Sequence, residues 1–174
     1  MKSNWFFPNL WRLLSLLAVQ GLILSDISYN TDGYVSILVY PLFILLLPIL
    51  LPVPAAVLAG FVAGLLVDTF TGTLGLHASA GAFSAYARAI ILDRFSPQGG
   101  YTNKEPIASP AYFGWRWFLT VAGVFFAVHL LWYFSMAYFT PAYFFRKILP
   151  QAALSWVSTL PVVVVLMRLF YPRN

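Results

Sequence analysis

Charge is missing from most of this sequence. No Asp, Glu, Lys or Arg lies between Asp32 and Asp68, between Arg116 and Arg146, or between Lys147 and Arg168. A helix that crosses a bilayer needs about 20 mainly apolar residues. The first gap holds 35 residues and is interrupted by Leu51-Pro52-Val53-Pro54. Prolines so placed end one helix and open the next, so this gap reads as two spans. A soluble domain carries about 25% charged residues, whereas here 9% are charged and 61% hydrophobic, with a mean hydropathy of +0.82. So few charges cannot wet the surface of a globule, and the apolar surface faces lipid.

The pattern predicts an all-α integral membrane fold: one polytopic domain, 1–174, with six transmembrane helices near residues 8–27, 35–51, 55–70, 76–92, 115–139 and 148–170. The second is the most uniformly aliphatic, with Leu45-Leu46-Leu47 and Ile49-Leu50-Leu51, and is expected to face lipid broadly. A β-barrel would show alternating segments of about ten residues, and these runs do not alternate. Lys2 and Arg12 before an apolar run resemble a signal peptide, but no small-residue cleavage site follows, so a retained first helix is expected.

Orientation follows from Lys and Arg in short loops. With the N-terminus inside, eight basic residues (Lys2, Arg12, Arg88, Arg94, Lys104, Arg116, Arg168 and Arg173) fall on the cytoplasmic side and two (Arg146 and Lys147) outside. Both termini are therefore expected in the cytoplasm of a multi-pass inner-membrane protein. Asp26, Asp32 and Asp68 fall near the outer face. The net charge of +5 needs no nucleic acid, because basic loops suit an anionic leaflet. Aromatics at the span ends read as interfacial anchors: Trp5, Phe6, Phe7 and Trp11, then Trp115, Trp117 and Phe118, then Tyr138, Phe139, Tyr143, Phe144 and Phe145. The one long loop, 93–114, is rich in Gly and Pro and too short for a domain. Cysteine is absent, which removes disulfides and thiolate metal sites.

The third and fourth spans carry the informative residues. Gly60, Gly64, Asp68 and Gly72 recur every four positions and share a helical stripe, and Gly60–Gly64 is a GxxxG match that permits close helix approach. On the fourth span His77, Gly81, Ser84 or Ala85, and Arg88 form a small and polar face. Asp68 and His77 flank the turn 69–76, which could bring carboxylate and imidazole together. Ionisable groups inside a span are functional candidates. Near an interface, a structural role in locking the hairpin competes with a relay or ligand site. His129 reads as a hydrogen-bonded packing residue. The sequence has no paired carboxylates, H-E-x-x-H, phosphate loop or nucleophile elbow, so no enzyme, cofactor or metal site is expected.

The run Gly64-Leu65-Leu66-Val67-Asp68-Thr69-Phe70-Thr71-Gly72-Thr73-Leu74-Gly75-Leu76-His77-Ala78 resembles the signature of the MreD family of rod shape-determining membrane proteins. There GL-x-x-D is followed by a glycine and a GLHA-like tetrapeptide. Gly100-Tyr101, Phe113-Gly114, Arg116-Trp117-Phe118 and His129 are similar to one subgroup. The resemblance implies a non-catalytic adaptor of the cell-elongation complex. It would bind MreC and help couple MreB filaments to peptidoglycan synthesis by RodA and a class B penicillin-binding protein. Together with the helical spacing of Gly60 and Arg88, it marks Gly60, Gly64, Asp68, Gly72, Gly75, Leu76, His77 and Arg88 as partner-interface or structural residues. It also implies a six-helix fold similar to the substrate-binding subunits of energy-coupling-factor vitamin transporters, so a small-molecule-binding transport subunit is the alternative.

Overall fold

The computed structural model describes residues 6–24, 34–73, 75–102 and 106–170. The chain is mostly helical, and no strand occurs among the described residues. Helix α1 (Phe6–Val19) runs into a wider π-turn (Gln20–Leu24). A short α2 (Pro41–Leu45) precedes α3 (Val53–Thr71) and α4 (Leu76–Arg94). Then come α5 (Pro110–Tyr138) and, after turns at Pro141–Tyr143 and Phe144–Ile148, α6 (Leu149–Phe170). Among the described residues, three helical stretches are long and apolar enough to cross a membrane: Val53–Thr71, Pro110–Tyr138 and Pro141–Phe170. The expected sites at Lys2, Trp5, Asp26, Asp32, Lys104 and Arg173 lie outside the described residues.

Sequence punctuation explains the ends. Prolines open α3 and α5, where a missing amide hydrogen costs nothing. Gly114, at φ 80° and ψ 159°, breaks the start of α5, so the continuous helix begins at Trp115. Gly72 closes α3 in the left-handed conformation and Gly75 precedes α4 in the same region, where a side chain would be strained.

The expected second span, 35–51, is a correction. Only Pro41–Leu45 is helical there, flanked by extended and irregular backbone. Nor does it face lipid: residues 38–47 are all buried, with Val39, Tyr40, Ile44 and Leu45 fully so. Pro41 and Pro48 bracket the helix, and a residue before proline is driven out of the α region. Irregular backbone survives inside an apolar molecule only if its polar groups find partners. Neighbouring helices supply them here. Val39 N–H donates to Gln20 Oε1 at 2.7 Å and Gln20 Nε2 donates to the Ile37 carbonyl at 3.1 Å. Ser36 N–H donates to Ser155 Oγ at 2.9 Å, and Leu38 N–H to Thr159 Oγ1 at 3.4 Å.

Helices α3 and α4 form the tightest pair. A Cβ on Gly60 would stand 2.5 Å from the Gly81 carbonyl oxygen, one on Gly81 would strike the Gly60 carbonyl, and one on Gly64 would overlap the His77 backbone. The glycine stripe is therefore filled by α4. The outward side of α3 is the apolar, exposed one, with Leu58, Phe61, Leu65 and Phe70. The aromatic assignments also divide. Trp11, Phe139 and Phe145 are exposed, but Phe118 is fully buried core. Tyr138 and Tyr143 hold Lys147 Nζ 5.4 and 4.9 Å from their ring centres.

Candidate functional site

Asp68, in the last turn of α3, reaches across the hairpin to the first turn of α4. Its Oδ1 accepts from His77 N–H at 3.0 Å and from Thr73 Oγ1 at 2.7 Å, and its Oδ2 accepts from Ala78 N–H at 3.0 Å. The first amides of a helix have no partner within it, and Gly75 before α4 has no side chain to offer them. The carboxylate fills that role from the neighbouring helix, where the positive end of the helix dipole favours it. His77 Nδ1 lies 3.1 Å from Asp68 Oδ1, completing the pair, and 2.9 Å from Thr73 Oγ1. The structure thus brings Asp68 and His77 together, both nearly inaccessible to solvent.

From His77 a polar chain continues into the core. Tyr40 Oη donates to the His77 carbonyl at 3.1 Å and lies 3.2 Å from His129 Nε2. His129 Nδ1 in turn lies 2.7 Å from Ser84 Oγ. One proton assignment satisfies every member: Ser84 donates to Nδ1, Nε2–H donates to Tyr40, and Tyr40 donates to the His77 carbonyl. The Tyr40 ring meets both imidazoles edge-on, at centroid distances of 5.7 and 5.3 Å, and Tyr133 lies 4.9 Å from His77. His129 is therefore a packing residue that ties α5 to α4 and to the irregular segment.

Arg88 occupies the opposite end of the α4 face and is also buried. Its Nε donates to the Leu45 carbonyl at 3.2 Å, and its Nη2 to those of Leu47 at 2.5 Å and Pro48 at 3.3 Å. The Leu45 carbonyl ends α2, where helix geometry leaves acceptors unpaired and a cation is favoured; those of Leu47 and Pro48 lie in the turn after it, and Pro48 also accepts from Leu51 N–H at 3.1 Å. Arg12 approaches the same turn from α1, its Nη1 donating to the Leu46 carbonyl at 3.5 Å.

Of the expected site residues, Asp68, Leu76 and His77 share one end of the hairpin. Gly60 and Gly64 form its seam, Gly72 and Gly75 its turn, and Arg88 stands apart at the other end. Tyr40, Thr73, Gln20, Ser155 and Thr159 belong to the same polar framework, though spacing within a single span does not single them out. Their signal was polarity: Ser155 and Thr159 are four apart on a mainly apolar helix, facing a run that contains two prolines. The hydroxyl beside the Asp68–His77 pair is that of Thr73, which donates to the carboxylate, and the described residues hold no cluster of three metal-ligating side chains. No protein-family model, curated protein or solved structure matches this chain.

Proposed function

We propose that this chain is a non-catalytic, MreD-like membrane adaptor of the bacterial cell-elongation complex. It would have six passes through the inner membrane and both termini in the cytoplasm. The observation that carries the reading is the use made of the signature run 64–78. Its glycines, aspartate and histidine are spent on closing and capping one helical hairpin, a scaffolding role. Apolar helices of this kind meet partner helices through their faces. The seam at Gly60 and Gly64 is occupied internally, so the partner's helix meets the outward side of α3 at Leu58, Phe61, Leu65 and Phe70. MreC is the expected direct partner, and RodA, the class B penicillin-binding protein and MreB are reached directly or through it.

The test is co-expression with an MreC-type partner and recovery of the pair from the membrane, with cell shape scored in parallel. Co-purification, and loss of rod shape on depletion, are expected. An intact shape together with lost uptake of a vitamin would transfer the case to the transport-subunit reading.

A further inference from the structure

At the end of the hairpin remote from Asp68, a cavity of about 200 Å3 opens beside Arg88. Leu50, Ala89, Asp93, Ser96 and Tyr101 also line it. Arg88 is only 2% exposed, yet its guanidinium has no carboxylate partner among the described residues. Its Nε and Nη2 are committed to carbonyls, while Nη1 has no acceptor among the described residues. Carbonyl dipoles stabilise a buried cation but do not cancel its charge, and such a charge calls for a counter-ion. Asp93, exposed, stands on the same cavity wall without an ion-pair partner among the described residues. The cavity therefore offers a buried cation and, beside it, a solvent-facing anion.

We propose that this cavity binds the headgroup of an amine-bearing phospholipid, its phosphate on Arg88 Nη1 and its ammonium against Asp93. Three observations support that choice. The cavity wall includes Val53, where the apolar helix α3 begins, so it lies at the depth of headgroups if α3 crosses the bilayer. Its volume is below the roughly 300–1,000 Å3 of sites for drug-sized ligands and suits a headgroup fragment. A bare phosphate would bring uncompensated negative charge toward Asp93, whereas an aminophosphate satisfies both charges. Basic pockets at this depth are known to hold lipid headgroups.

The experiment follows thermal unfolding of the full chain in neutral detergent with added dioleoyl phosphatidylethanolamine, phosphatidylcholine, phosphatidylglycerol or inorganic phosphate. Phosphatidylethanolamine should stabilise with an apparent affinity about tenfold above the other two lipids, the ratio carried by one charge-assisted hydrogen bond. Inorganic phosphate should give no shift. Ala89→Phe fills the cavity without touching the carbonyls that hold Arg88, and should abolish the effect. Asp93→Asn, an exposed and structurally mild change, should remove the preference for ethanolamine over choline. Equal shifts from all three lipids, a matching shift from inorganic phosphate, or a preference that survives Asp93→Asn would overturn the proposal.

Discussion

Asp68 accepts four hydrogen bonds, two of them from the backbone of α4, while His77 contributes its ring and one of those amides. The two side chains therefore should not matter equally. Asp68→Ala strands both amides at the start of a packed helix, and the loss of a cap costs about 0.5–2 kcal/mol, with unpaired buried groups adding to it. His77→Ala leaves the amide bonds in place and should cost less. In a double-mutant cycle the pair should couple by about 0.6 kcal/mol and by no more than about 1.7. Reversible unfolding of the wild type, both single mutants and the double mutant in detergent measures this. Effects that add to within about 0.5 kcal/mol, with Asp68→Ala no worse than His77→Ala, would contradict the capping account. Tyr40→Phe is a separate probe of the inner chain. It removes the hydroxyl that joins the His77 carbonyl to His129 and should cost about 1 kcal/mol with little change in shape.

At the scale of elements, the hairpin was readable from the sequence and the irregular segment was not. Four-residue spacing put Gly60, Gly64 and Asp68 on one stripe, and a Gly-rich turn could only fold α4 back along α3. The Asp68–His77 contact follows from that local geometry. Residues 35–51 gave no such signal, because a run of leucines reads the same whether it meets lipid or a protein core. What decided the matter lay far away in sequence: Gln20, Ser155, Thr159 and Arg88 supply the partners that let Pro41 and Pro48 break the helix. The Tyr40–His129–Ser84 contacts were hidden for the same reason, since they join three separate elements. Two substitutions separate these features. Gly64→Ala drives a methyl into the His77 backbone and should destabilise by about 1–3 kcal/mol or more, lowering the amount of protein in the membrane. Gln20→Leu keeps the volume but strands Val39 N–H and the Ile37 carbonyl, a loss of about 1–3 kcal/mol per group. If Gln20→Leu unfolds like the wild type, the segment does not depend on its side-chain partners.

Across the whole molecule, basic side chains gather at one end of the bundle. Arg12 and Arg88 hold the turn at residues 45–48, Arg168 lies over Trp115 at 5.4 Å, and Trp117 Nε1 donates to the Phe95 carbonyl beside Arg94. Arg146 and Lys147 stand in the turn between α5 and α6, beyond the far end of α5. Loops rich in Lys and Arg stay on the cytoplasmic side, so this asymmetry fixes how the proposed six-pass chain inserts. A reporter active only outside the cytoplasm should signal when inserted at residues 140–142 or 30–32. It should be silent near Gly99 or fused after Asn174. Segment 34–52 makes the test demanding, because it is not a continuous helix and must cross with its backbone satisfied by α1, α4 and α6. If it did not cross, every segment after it would change sides relative to the N-terminus, and the signals at residues 99 and 140–142 would exchange. A silent 140–142 insertion with an active one at Gly99, in protein of normal abundance, would therefore overturn the six-pass topology with the N-terminus inside.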